Sequence, residues 1–456
     1  MLNTNLKALV KLSAGSRLQK PSSSSKAQPM RVAVLLPCAA LALVAKPPLR
    51  IAPQRSAATL DSLEGVEAPK VKVDTTSGLR GLVATAPIKA GESLVSAKRE
   101  QSVETTDLDA KTAPRDLRKL GYCDDAEWKA VGWEGRLALL LLRAKVEKDA
   151  TLAPWVAALP EAYDDVPAYG WSDADVSSCA YAPLRETVAG QRDTWAKAEA
   201  ALLGQNQRRP YGAADLRWAL ATVLTRSFSG PFEGTSPKQR FALIGFAAWL
   251  AVGYVVGGFG DASTAAQGFV AVSLGSVLSD YLVSKDESLD LQRHVLAPGV
   301  DFLNHVGAAA EDDAAASYEY FADAFAVNAH RDYDAGDEVH ASYGKKSNAQ
   351  LLANYGFLEP GNPFDDYVFP DAYPFPPLRG ARVTRTGFDE ATAKAAVAYS
   401  GSTDAARENL VKACSAQAAA IRATPSGNGL LDALGEEHAA ILAALADATE
   451  KSAMLG

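Results

Sequence analysis

The sequence predicts an α+β fold, and three observations predict it. Residues 70–100 alternate apolar and polar side chains between glycines, and the pattern returns over 298–345; a period of two marks half-buried strands. Residues 100–220 instead carry helical patterns joined by proline-containing loops. Beyond 385 the chain is helical again, with no internal repeat. The order strands, helices, strands, helices calls for small sheets, a helical insert and a helical tail.

Taken in order, residues 1–65 read as a leader. The first sixty hold nine Lys or Arg and no acid, with Ser22–Ser25 in a row. Arg31 precedes the apolar core Val32–Ala45, a charged flank and a 14-residue run that fits a secretory signal and is short for a bilayer span. Arg50 and Arg55 follow in a second acid-free stretch. The pair resembles the two-part leaders that direct proteins into complex plastids, which implies plastid localisation.

A folded unit is expected over 66–360. In its helical insert, Trp133–Lys148 is the strongest helix pattern. Phe241–Gly260 is 20 residues without a charge, bounded by Arg240 and Asp261, and a weaker uncharged run covers Ala262–Ser279. By length the first is a membrane-span candidate, and Gly253 with Gly257 forms a GxxxG pair. If the flanks build one domain they share one side of any membrane. The insertion 241–284 is then a two-span hairpin, a re-entrant or surface-lying element that associates with a membrane, or a buried hairpin. Residues 361–456 form the tail. There Leu430, Leu431, Leu434, Ile441, Leu442 and Leu445 share one helix face after the breaker Gly427–Gly429.

Composition excludes several classes. With 48% hydrophobic and 22% charged residues, the 456-residue chain is neither disordered nor collagen-like. Cys38, Cys123, Cys179 and Cys414 form no CxxC pair and the five histidines are dispersed, so no metal site is expected. Past residue 60 the chain carries a net −17, unsuited to nucleic acid and able to attract a basic protein segment.

Three stretches carry the chemistry: SGLRGLVATAPIKAGESLVSA (Ser77–Ala97), PGVDFLNHV (Pro298–Val306) and AGDEVHASYGKKSNAQLLANYGFLEP (Ala335–Pro360). Glycines around Leu79-Arg80 let backbone approach a ligand. Asn304-His305 is a polar pair, and Tyr343-Gly344 bends into a helix ending in Tyr355-Gly356-Phe357. With LTRSFSG (Leu224–Gly230), these stretches resemble, in this order, the SET-domain methyltransferases, nearest the plant Rubisco large-subunit methyltransferase-like subgroup.

The resemblance implies a SET β-fold with a threaded crossing, S-adenosyl-L-methionine as cofactor and a lysine on a non-histone protein as substrate; a related branch methylates histidine. It implies that Leu79, Arg80 and Gly81 line the cofactor site through backbone, and that Arg226 reaches the cofactor carboxylate. Asn304 and His305 would hold the cofactor at the crossing, and Phe357 would pack near adenine. Tyr343 would be the catalytic tyrosine, Phe228 and Tyr355 the walls of a lysine channel, and Asp301 the border of the substrate entrance. Arg80, Arg226, His305 and Phe357 also have plain structural readings. The insertion 241–284 departs from the subgroup, which has a short connection there. It leaves a second reading open, a membrane-anchored SET-fold assembly protein without catalysis.

Overall fold

A computed structural model describes residues 59–75, 80–106, 111–204, 208–230, 237–283, 292–307, 315–319 and 322–451, with backbone alone at 237–243 and 276–283. The leader through residue 58, with Cys38, and also Leu79 lie outside the described residues. Leu60 and Leu63 are core residues, so the folded body begins before residue 66.

Short strands open the chain: β1 Val66–Glu67, β2 Val71–Asp74, β3 Gly81–Ala84, β4 Ser93–Lys98 and β5 Val103–Thr106. The helical insert follows as α1 Arg115–Lys119, α2 Asp125–Ala130, α3 Trp133–Val146, α4 Ala153–Ala158, α5 Pro167–Gly170, α6 Asp173–Ser178, α7 Ala182–Leu203 and α8 Ala213–Arg226. Next come β6 Phe228–Gly230, the hairpin α9 Pro237–Val256 and α10 Ala262–Val283, then β7 Arg293–Leu296, β8 Asn304–His305, β9 Ser317–Glu319, β10 Ala324–Asn328 and β11 Glu338–Ala341. The chain ends with α11 Asn348–Tyr355, β12 Asp366–Val368, β13 Arg382–Thr384, α12 Glu390–Ser400, α13 Thr403–Ala423 and α14 Gly429–Lys451.

The strands form small sheets in the orders β1-β4-β10-β9, β2-β3-β11-β8, β5-β7-β6 and β12-β13. The pairing of β8 with β11 is parallel, His340 opposite Asn304 and Ala341 opposite His305. It places the Asn-His pair beside the strand that leads into Tyr343. Strand β5 lies inside the stretch expected to be helical. Its pairing with β7, Val103 opposite Leu296, links residues almost two hundred apart.

Helix α3 carries Leu137, Leu139, Leu141 and Leu142 fully buried, more than one face of a surface helix would hide, because it lies between β5 and α8. Asp124 and Glu127 form a capping box that starts α2. The six apolar residues expected on one face of α14 are all buried, and Asn428 Oδ1 accepts from Leu430 N and Leu431 N to begin that helix. The tail builds its own core with Leu378, Leu410, Cys414 and Leu442. Tyr181 of the insert joins that core, 5.6 Å from Tyr367 and 4.3 Å from His438.

The apolar insertion is helical but is not a buried hairpin, since no residue from Ile244 to Gly275 is buried. Among the described residues no helix is long and apolar enough to cross a membrane. Nor does Gly253 serve a close α9–α10 approach, because a Cβ there would meet open space.

Candidate active site

The site starts where α8 stops. Arg226 is its last residue, with a side chain only 7% exposed. Its Nη1 donates to the Asp301 backbone oxygen at 2.9 Å and lies 3.3 Å from Asp301 Oδ2. Asp301 is held by the turn after β7. Gly299 adopts φ +80°, which glycine tolerates, and a Cβ there would come within 2.9 Å of Val66. That turn lets Gly299 N donate to Asp301 Oδ1 at 3.1 Å, where Trp155 Nε1 of the insert also donates at 3.1 Å. The carboxylate is fully buried, so Asp301 is a buried counter-ion and not the rim of an entrance.

Arg80 is the second buried cation, 3% exposed. Its Nη1 donates to Ala158 O at 2.6 Å, and its guanidinium sits 4.0 Å over the Phe302 ring. Arg80 Nε has no hydrogen-bond partner among the described residues. Burial first, then Arg226, pulls its pKa down to about 9, against the opposing pull of Asp301. Burial also pulls Arg226 down, but Tyr163 and Asp301 more than offset it, and its net shift is upward. Asp301 thus pairs directly with Arg226, and Arg80 feels both charges through space. Arg80, expected to act mainly through its backbone, borders the pocket with its guanidinium packed between Ala158 O and the Phe302 ring.

The crossing is tied by Asn304, whose Nδ2 donates to Arg80 O at 3.0 Å and to Glu338 Oε1 at 2.7 Å. These bonds join β8 to β11 and to the residue that precedes β3. A Cβ on Gly81 would sit 2.5 Å from that Glu338 oxygen, so the junction requires glycine. His305 is buried, and its Nδ1 accepts from Tyr343 N at 3.0 Å, which assigns the ring proton to Nε2. Burial lowers its pKa to about 4, so it is neutral at physiological pH. Its Nε2 lies 3.7 Å from Glu359 Oε2, whose own pKa burial raises.

Tyr343 donates its phenol proton to Leu303 O at 2.7 Å. Its ring stands 4.9 Å from Tyr355 and 5.0 Å from His305. Ser347 and Gln350 form a capping box that opens α11, and Gly356 ends it at φ +73°; together they present Tyr355 on its last turn. Burial pushes the Tyr355 phenol up, keeping it protonated.

These groups meet in a small, partly open pocket lined by Arg80, Arg226, Asp301, Asn304, Tyr343 and Tyr355, with Tyr163, Thr225 and Phe302. Gly81, His305, Phe228 and Phe357 do not line it. Phe228 is partly buried and packs edge-on against the core residue Phe325 at 5.6 Å. Phe357 is 2% exposed and lies 6.0 Å from Tyr355. Sequence reasoning missed Trp155 and Tyr163. Both lie in the helical insert, and Tyr163 Oη donates to Thr222 Oγ1 of α8 at 2.9 Å. No group of His, Cys, Asp and Glu that could hold a metal occurs among the described residues.

No protein-family profile and no curated protein matches the chain. Among solved structures it is similar to the SET domain of LSMT bound to lysine and AdoHcy, at 17% identity and a TM-score of 0.48 over 85% of this chain and 88% of that one. It is similar also to Rubisco LSMT bound to sinefungin and monomethyllysine, at 16% and 0.47 over 84% and 87%. A third is Rubisco LSMT bound to AdoMet, at 16% and 0.46 over 84% and 86%.

Proposed function

We propose that the chain transfers a methyl group from S-adenosylmethionine to a lysine amine of a non-histone protein in a plastid. The observation that carries this reading is the polarity of the cavity, with surplus cationic charge at Arg80 and Arg226 and paired phenols at Tyr343 and Tyr355. These residues fit the cofactor. Its carboxylate answers the guanidinium whose Nε has no acceptor, and its sulfonium suits the aromatic end. The bound cofactor supplies an activated methyl.

The chain's residues then align and desolvate. Because Tyr343 gives its proton to Leu303 O, the lone pairs of its oxygen remain for a cationic group in the cavity. Tyr343 and Tyr355 would flank the lysine stem and favour its neutral amine over the ammonium, against a reference pKa of about 10.4. Methyl transfer there would form the N–C bond as the cofactor's S–C bond broke, and the methylated ammonium would release its proton to water. Alignment is the larger contribution to such a displacement. The acidic body supports a basic protein segment as acceptor, and the acid-free leader supports plastid import.

The exposed hairpin favours a second reading, an anchored assembly protein without turnover. Calorimetric titration of the full chain with S-adenosylmethionine in mild detergent, beside Asn304→Ala, tests the first. Saturable binding weakened in the variant, with labelled methyl appearing on a lysine-bearing protein, is expected. Binding without turnover on plastid proteins, or no binding by a folded sample, would overturn the enzyme reading and favour the second.

A further inference from the structure

The hairpin α9–α10 contradicts the rule that apolar side chains are covered. Eleven of the fourteen exposed large hydrophobic residues among those described lie on it, including Trp249 at 67%, Val256 at 81% and Phe259 at 76%. They are concentrated on one element, whereas exposed apolar side chains on a monomer are ordinarily scattered singly. The two helices pack chiefly on each other. They do so through one narrow stripe each, Ile244, Ala247, Ala248 and Ala251 against Ala265, Phe269 and Ser273, the only partly covered positions between 244 and 275.

The distribution of the remainder selects what covers it. Helical residues step about 100° around the axis. Phe246, Trp249, Leu250, Val252, Val255 and Val256 therefore spread over more than half the circumference of α9, while on α10 Val270 and Leu274 share one side and Val272 falls on another. A protein partner covers one side of a helix pair and meets it with a polar rim. Here no charge occurs from Phe241 to Gly260 or from Ala262 to Ser279. Charges return at the two ends of the hairpin, with Lys238 and Arg240 in the first turn of α9 and Asp280 in the last turn of α10. Asp261, at the bend, has its carboxylate taken up locally by Ser263 N, Thr264 N and Thr264 Oγ1. An apolar medium that surrounds both helices matches this pattern, and a second surface does not.

We propose that the hairpin is embedded in the hydrocarbon of a lipid bilayer, entering and leaving on the side where the body lies, so that the cavity is held at a membrane surface. The proposal stands on the hairpin alone and survives if the methyltransferase reading fails.

Vesicle flotation of the full chain, transferred from mild detergent to phosphatidylcholine vesicles with and without phosphatidylglycerol, tests it. The chain is expected to float with both at high salt, and Trp249 emission to be quenched by brominated acyl chains. In Trp249→Glu and Val256→Glu the new charges sit on exposed positions, so the fold tolerates them, while partition should fall roughly a hundredfold for each. A folded chain that stays in the dense fraction overturns the proposal. If it also sediments as a dimer that Trp249→Glu dissociates, a second copy is the occupant; flotation only with the anionic vesicles and lost in salt would mean surface charge, and overturn insertion as well.

Discussion

Replacing Asp301 with Asn removes the carboxylate that pairs with buried Arg226 and acts through space on Arg80. Its side chain is fully buried and that of Arg226 is 7% exposed, so water screens neither. Asn keeps an oxygen for Trp155 Nε1 and Gly299 N, and those bonds, worth about 1 kcal/mol each, survive. What is lost is the counter-charge, and removing one partner of a buried pair typically costs about 3–5 kcal/mol. The lower end applies, because Arg226 retains the Asp301 backbone oxygen and Arg80 retains Ala158 O. Urea titration should show the variant about 3 kcal/mol less stable, a midpoint shift of about 1 M. The two uncompensated cations should then recruit an anion, so sulfate should stabilise the variant more than the parent by about 1 kcal/mol. In the cycle with Arg226→Gln, the double variant should lose less than the sum of the singles by about 2 kcal/mol. A loss under 1 kcal/mol, or equal sulfate stabilisation of parent and variant, would refute the buried counter-ion.

Tyr343→Phe should lower methyl-transfer kcat about a hundredfold or more while S-adenosylmethionine affinity stays within about threefold, read by single-turnover kinetics and calorimetry. Asn348→Ala should cost about 3 kcal/mol in urea unfolding, since the buried Asn348 donates to Glu359 O and Asp365 Oδ2 and accepts from Glu359 N. Burial depresses His438 to about 3 in the folded chain, so its contribution is complete above the unfolded pKa near 6.5 and is lost as pH falls below it. Between pH 7.5 and 5 the parent should lose about 2 kcal/mol through this residue, and His438→Gln should abolish that part of the slope in urea midpoints measured at both pH values. Asp365, raised to about 6 by burial, works in the opposite direction and is common to both proteins.

What was legible in the sequence was local. The stripe of α14 and the run from Tyr343 to Phe357 are set by spacing within one element, and they fold as the spacing requires. The pairing of Asn304-His305 with β11 came through the resemblance, because a two-residue strand has no period to read. Strand β5 was hidden because only β7, far along the chain, makes it a strand. Trp155 and Tyr163 were hidden for the same reason, being loop and short-helix aromatics whose role exists only once the insert folds over α8. The contact of Phe228 with Phe325 was likewise hidden, since the two lie almost a hundred residues apart in the sequence.

The insertion also bears on how the site tolerates it. Strands β6 and β7 are antiparallel neighbours, with Phe228 opposite Val295 and Gly230 opposite Arg293. The hairpin therefore leaves and rejoins the body between two paired strands. Closing a loop costs only about 0.6 kcal/mol more for each doubling of its length, so a long insertion there is thermodynamically mild. Just inside the same junction, Arg226 before β6 meets Asp301 after β7. The ion pair that sets the charge of the cavity thus sits behind the ladder from which the hairpin departs. An apolar element fixed in a bilayer would orient the cavity through that ladder without disturbing the pair, since β6–β7 pairing and the buried contacts of α8 lie between them.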